Sequence, residues 1–558
     1  MENRRGSRES YRSGSNPLWS RPLLAIAGIA FVVILPFFFR GIPSGHDFEF
    51  HLHSWMEVHD QWIEGTVYPH WAGLAHYGYG EARFLFYPPA SWLLGALLGT
   101  VLPWAVVPGA YVWLALTLSG CSMFLLVRRW LGRRDAVFAA VLFVANPYYL
   151  VEVYWRGAFA ELLAGALLPL LLLCLLQLEA QDGRAWVHLA LVVAGAALTN
   201  VPASMMVNYS LALLALVVAI RQRSPKVLFA AALATGFGAA LAAFYVVPAR
   251  YEQAWINIAQ VLSAGVRPQD NFLFTRIADP DHNRFNLFVS LVAVAELVVL
   301  AMAAWSWRNG RTRAPQLWWP LLIWAGASTL LMFSPAEIFW DYLPWLRFVQ
   351  LPWRWLLCLN VVFALLVTLA WRNWVGRAAA WLVLLGVLLW AGHHVQPPWW
   401  DRAIDVAALL EQHQSGAGYE GTDEYAPVDA DPYEIKRDAR RLAWYGSGTA
   451  RFEVDQWGAE RKSFTAEVSQ PGQLVVRVFA YPAWKVEVNG RPVRTDTLAD
   501  TGQMLIPVPA GVSRVQIQFV RTRDRTLGDG ISLIASAGLL LWLRKKRRFL
   551  KAREPSNQ

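Results

Sequence analysis

The chain has 558 residues, 56% of them hydrophobic and only 16% charged, with 30 tryptophans and a mean hydropathy of +0.31. That balance is too apolar for a soluble globular protein of this length and reads as a polytopic membrane protein. The net charge of +10 does not indicate nucleic acid, because the basic residues form short clusters between apolar runs, as positive-inside topology requires. Cys121, Cys174 and Cys358, the three cysteines, all lie in apolar stretches and offer neither a disulfide framework nor a CxxC metal site.

In chain order, a basic tail over 1–21, with Arg4, Arg5, Arg8, Arg12 and Arg21, precedes a first apolar run over 22–39. No small-x-small cleavage site follows, so this run is expected to be an uncleaved anchor with the N-terminus in the cytoplasm. Further runs occur at 136–150, 160–178, 186–200, 204–220, 226–247, 286–306, 317–333, 354–371, 378–392 and 529–543, with another apolar block over 90–127. Each is long enough, or nearly so, to cross about 30 Å of hydrocarbon. The clusters at Arg128–Arg134, Arg184, Arg221–Lys226, Arg308–Arg313, Arg372–Arg377 and Arg544–Arg553 all fall on one side if 90–127 crosses once, the rest being interfacial or re-entrant near LPWAVVPGA.

The expected fold is thus an all-α polytopic membrane domain over 22–392 with about twelve net crossings. It has a large first outer loop at 41–89 and is followed by a linker over 393–440. An extracytoplasmic β-sandwich is expected over 441–527, a final span over 528–543 and a basic cytoplasmic tail over 544–558. The sandwich is read from alternating stretches such as SFTAEVS, QLVVRVFAY, WKVEVNGRPVRT and SRVQIQFVRT, with Asn489-Gly490 as the hairpin signal. YPAW, Tyr481 to Trp484, precedes the hairpin, and the domain either grips carbohydrate through aromatics or packs over the membrane cavity.

The outer loop 41–89 gathers six of the eleven histidines and six acids. Its DFEFHLHSWMEVHDQWIEG places Phe48, Leu52, Trp55 and Trp62 at helical spacing, an amphipathic helix lying on the outer interface. Asp47 stands at or near the N-cap, so one reading of it is a cap; Glu57, Asp60 and Glu64 read equally as a wet helix face. Downstream come YPHW, GYGEARFLFYPP and NPYYLVEVYWRGAFAE.

These residues carry a resemblance. An acid just outside the first span, a long first outer loop with an interfacial helix and a Tyr-Pro-Pro leading into the next segment resemble the GT-C superfamily of integral-membrane glycosyltransferases. GHD…H, G-x-x-YP-x-W, YPP, Y-x-x-RGA-x-AE and F-x-Q-x-PWR (Phe348 to Arg354) also resemble bacterial membrane proteins labelled 6-pyruvoyl-tetrahydropterin-synthase-related and YfhO-type proteins. The label is not an activity: the soluble pterin synthase uses histidine-bound zinc and a cysteine nucleophile, and this chain has HLH but no cysteine outside its apolar runs.

The GT-C resemblance implies transfer of a sugar from a polyprenyl-phosphate donor to a cell-envelope glycan or lipid acceptor on the outer face of the bacterial inner membrane. The first-loop acid would be base or metal ligand. Asp47 is the first candidate, with Glu49 beside it as a second catalytic carboxylate and joint ligand of a divalent cation, Mg or Mn. Arg156, Arg354 and Arg83 are candidates for the donor phosphate, although snorkelling or an ion pair of Arg156 with Glu152 or Glu161 explains such arginines as well. His51, His53, Tyr87 and Glu161 are expected to line the substrate cavity. Two other readings stay open: a transporter or flippase of lipid-linked sugars, and an envelope scaffold whose β domain binds glycan.

Overall fold

A computed structural model describes residues 17–308 and 314–551. Arg4, Arg5, Arg8 and Arg12 of the basic tail, Arg311 and Arg313, and the end of the C-terminal tail from 552 lie outside the described residues. Among the described residues nine helices are long and apolar enough to cross a membrane, or eleven if each of two bent pairs is one span. The bent pairs are Lys226–Leu241 with Ala243–Trp255, at 79°, and Pro315–Leu331 with Ser334–Tyr342, at 96°.

The block 90–127 divides as its composition requires. Pro89–Gly99 is a short helix and Val107–Val127 a long one, and the turn between them brings Trp104 to 5.6 Å from His59 of the first outer loop. Both ends of the short helix therefore stay near that loop, and only Val107–Val127 crosses. Ala185–Thr199 has fifteen residues, about 22 Å at 1.5 Å per residue, less than a full span. Even so, Arg221, at the far end of the next helix, pairs with Glu179, which precedes Ala185, and Gln222 Nε2 donates to the Glu179 carbonyl at 2.9 Å. Ala185–Thr199 and Val201–Gln222 thus run across the layer and back, so this short helix makes a traverse despite its length.

The same logic defines two faces. Arg377 Nη1 lies 2.7 Å from Asp135 Oδ1, and Arg221 also donates to the Gln316 carbonyl, so the starts of three spans and the end of Val201–Gln222 lie on the arginine-rich face. On the other face β1 (Ile42–Pro43) pairs antiparallel with β2 (Trp400–Asp401), tying the first outer loop to the chain beyond the last clustered span. The segment expected as a linker is ordered against that loop. His413 Nε2 lies 2.8 Å from Asp60 Oδ2, and Tyr419 Oη donates to Glu57 Oε1 at 2.6 Å.

The C-terminal strands form two antiparallel sheets. With β3 (Leu442–Tyr445), β4 (Ala450–Trp457), β5 (Arg461–Val468), β6 (Gly472–Phe479), β7 (Trp484–Val488), β8 (Arg491–Val493), β9 (Asp496–Thr497), β10 (Gln503–Val508) and β11 (Gly511–Phe519), the orders are β3-β6-β10-β9 and β4-β5-β11-β7-β8. Asn489 and Gly490, both at positive φ, turn β7 into β8. The core between the sheets takes in Trp71, Tyr79 and Phe86 from the first outer loop. Tyr481 and Trp484 are buried there, with their rings 5.6 and 5.4 Å from Trp71. The YPAW aromatics are therefore packing groups that dock the sandwich on the loop.

Candidate active site

Two glycines fix the mouth of the site. The backbone N–H of Asp47 donates to the Arg156 carbonyl at 2.8 Å. A Cβ on Gly45 would stand 2.5 Å from the Arg156 carbonyl carbon, and one on Gly157 3.1 Å from the Phe48 nitrogen. Gly157 also adopts φ +62, the left-handed region that costs other residues roughly 1–2 kcal/mol. Gly157→Ala is expected to lower the melting temperature more than Gly65→Ala, since Gly65 at φ +90 has open space around it. Thermal unfolding in one detergent compares the two, and equal losses would mean that the close approach of Gly157 to Phe48 adds nothing.

Behind the mouth, the chain from Glu152 to Arg156 is a π-helical turn, whose wider pitch re-aims side chains relative to an α-helix. Arg156 Nη1 is bonded to Glu152 Oε1 at 2.6 Å and Glu161 Oε2 at 2.7 Å. Arg354 Nε lies 3.0 Å from the same Glu161 oxygen, and Arg354 Nη1 donates to the Val349 carbonyl and to Gln350 Oε1. Tyr148 Oη donates to Glu161 Oε1 at 2.9 Å, and the Trp353 ring lies 4.9 Å from the Arg156 guanidinium. All four charged groups of this core are buried, Glu152 and Glu161 to 1% exposure.

Asp47 is the group of the cluster that reaches solvent. It occupies the N-cap position of the Phe48–Ile63 helix, but its side chain makes no capping hydrogen bond, so the cap reading of the sequence is corrected. Its carboxylate is 41% exposed and lies 3.8 Å from Arg156 Nη2. Tyr87 faces the same place, with Asp47, Arg354 and Glu161 among its electrostatic neighbours; burial first, then those carboxylates, raises its hydroxyl above the usual range.

The remaining candidates separate from this cluster. Glu49 is exposed, and burial of its partly covered carboxyl, then Asp401 and Glu420, raises it. Residues two apart on a helix do not face each other, so Asp47 and Glu49 do not fit a shared divalent ion. Among the described residues no group of three or more His, Cys, Asp or Glu is placed to hold a metal. The HLH pair diverges likewise: His51 lies among Trp55, Tyr87 and Phe159, while His53 stacks on Tyr419 at 4.1 Å. Burial lowers His51 to about 4 and His53 to about 3, so both are neutral at pH 7.

Arg83 belongs to a second knot rather than to the mouth. Its Nε lies 2.5 Å from Glu81 Oε1 and its Nη1 donates to Ser54 Oγ at 2.9 Å. Glu81 also accepts from the Thr422 N–H at 2.7 Å and stands 3.0 Å from His76 Nε2. Burial alone would raise the Glu81 carboxyl, but Arg83 and His76 hold it down to about 2. A depressed carboxylate stabilises the fold above its unfolded value near 4.3 and loses that contribution as pH falls toward the folded value. The wild-type protein is therefore expected to lose about 3 kcal/mol between roughly pH 5 and pH 2 through this group. Thermal unfolding across that range is expected to show a flatter acid limb for Glu81→Gln, which is already destabilised at pH 7 because Arg83 is left unpaired.

Sequence reasoning missed Tyr148 and Gln350 as members of the site. Both sit inside quoted motifs, but no periodicity marks a tyrosine whose hydroxyl meets an acid thirteen positions on. The π-turn that joins Glu152, Arg156 and Glu161 has no spacing signature either.

The fold and the buried charge cluster define a polytopic membrane protein with a polar site under the loop that follows its first span. The chain belongs to the family described as 6-pyruvoyl-tetrahydropterin synthase related domain, a membrane protein family, whose model matches residues 84–395. That segment contains Arg156, Glu161 and Arg354 and leaves Asp47 outside. No curated protein matches the chain. The crystal structure of the Archaeoglobus fulgidus oligosaccharyltransferase in the apo form is similar at 15% identity and a TM-score of 0.39, covering 69% of this chain and 56% of that one. The match therefore spans little more than half the length of that enzyme.

Proposed function

We propose that this protein is a GT-C-type membrane glycosyltransferase that moves a sugar from a polyprenyl-phosphate donor to an envelope glycan or lipid on the outer face of the bacterial inner membrane. The observation that carries the reading is Asp47. It is a carboxylate at the N-cap position that does not cap, open to solvent and set against a buried Arg156. Such a group is free to accept the acceptor hydroxyl proton as that oxygen attacks the anomeric carbon and the bond to the donor phosphate breaks. Arg156 and Arg354, joined through Glu161, are the cations beside the departing phosphate. His51 and Tyr87 form the aromatic wall. Positive-inside distribution supports a cytoplasmic position for the arginine-rich face and, with it, for both termini.

The test is transfer of labelled sugar from a panel of polyprenyl-phosphate sugars to envelope lipids by the purified, reconstituted protein. Transfer from one donor is expected; no transfer from any donor by a folded protein counts against the reading. The Mg or Mn expectation rests on an EDTA arm alone, and transfer that survives EDTA removes it. Glu161 and Glu296, both buried within spans, keep a transporter or flippase of lipid-linked sugars as the second reading.

A further inference from the structure

Glu296 lies in the interior of the 29-residue Pro280–Arg308 helix. It is wholly buried, and neither carboxylate oxygen has a hydrogen-bond partner. No charged group is among its neighbours in the described residues; the one side chain placed to hydrogen-bond with it is Asn146. Asn146 marks a break in the Arg133–Arg156 span, because Ala145 ends one helix, Asn146 is extended at ψ 143, and Pro147 opens the next. Its Oδ1 accepts from the Tyr148 N–H at 2.8 Å, which leaves Nδ2 unpartnered. Asn360, on the Leu356–Ala370 helix that packs against both elements, is also wholly buried, and both of its amide atoms lack partners.

Broken backbone at membrane depth persists where it lines a polar site. A carboxylate there needs compensation by one positive charge, and no side chain supplies it. We infer that Glu296, Asn146 and Asn360 form an intramembrane site that holds one monovalent cation, a proton or an alkali ion, on the Glu296 carboxyl. With a proton bound, the Glu296 O–H donates to Asn360 Oδ1 and its carbonyl oxygen accepts from Asn146 Nδ2, so four of the five orphaned atoms find a partner. With an alkali ion, the Glu296 oxygens and Asn360 Oδ1 are the side-chain ligands. Asn146 also anchors Tyr148, whose hydroxyl bonds Glu161 of the outer site, so the two sites share one short segment. The inference does not depend on glycosyl transfer.

Infrared difference spectroscopy on the full-length protein in lipid nanodiscs tests it, with wild type against Glu296→Gln in choline, sodium and potassium chloride at neutral pH. A resident proton gives a carboxylic-acid C=O band that shifts in heavy water, is absent from Glu296→Gln and ignores the alkali salts. A resident alkali ion gives that band in choline and replaces it with carboxylate bands on adding sodium or potassium. Carboxylate bands in choline that no salt changes would overturn the site. Asn360→Ala keeps the carboxyl and serves if Glu296→Gln does not fold: it is expected to move the Glu296 band, and an unmoved band also overturns the proposal.

Discussion

Asp47→Asn is expected to lower sugar transfer by about a hundred- to ten-thousand-fold, the range for loss of a positioned general base, while leaving the melting temperature near that of wild type. The two effects separate because the Asp47 side chain neither caps its helix nor fills a buried space. What holds the segment in place is its backbone N–H on the Arg156 carbonyl, and asparagine keeps that bond. Transfer measured at saturating donor, with thermal unfolding of the same preparation, reads both quantities. A variant that transfers at the wild-type rate removes Asp47 from the reaction.

The second large effect falls on Arg156. Its guanidinium is bonded to Glu152 and Glu161 in a site with almost no solvent, and removing one partner of a buried ion pair costs about 3–5 kcal/mol by leaving the other charge uncompensated. Arg156→Gln is therefore expected to unfold at markedly lower temperature. Adding Glu152→Gln removes one of the stranded carboxylates and is expected to recover much of the stability. Transfer should stay low in the double variant, because Asp47 has lost its cation and the donor phosphate one of its two arginines. A stable double variant with wild-type transfer would assign Arg156 to folding alone.

Much of the architecture is legible in the sequence, for physical reasons that can be named. Apolar runs report the spans because hydrocarbon tolerates little else, and period-two alternation with Asn489-Gly490 reports the sandwich. Glu152 and Glu161 are pairing candidates for Arg156 already in the sequence, and both pair with it; what the sequence hides is which distant groups close each cluster. Arg83 and Arg156 are both arginines near acids, yet Glu81 and Thr422 close the knot around one, and Arg354, some two hundred residues away, shares Glu161 with the other. The His413–Asp60 and Tyr419–Glu57 contacts, which order the supposed linker, join residues with no local relation at all. Pairings of this kind belong to tertiary structure, and local pattern has no access to them.

Covalent transfer, the central claim, differs from translocation in one observable. The reconstituted protein is given a polyprenyl-phosphate sugar that carries one label on the sugar and another on the lipid, in sealed vesicles with acceptor on the outside. Transfer moves the sugar label into the acceptor and leaves the lipid label in the released polyprenyl phosphate, and Asp47→Asn keeps the two together. Labels that cross the membrane still joined, in wild type and variant alike, would contradict the account and make the protein a carrier of lipid-linked sugars.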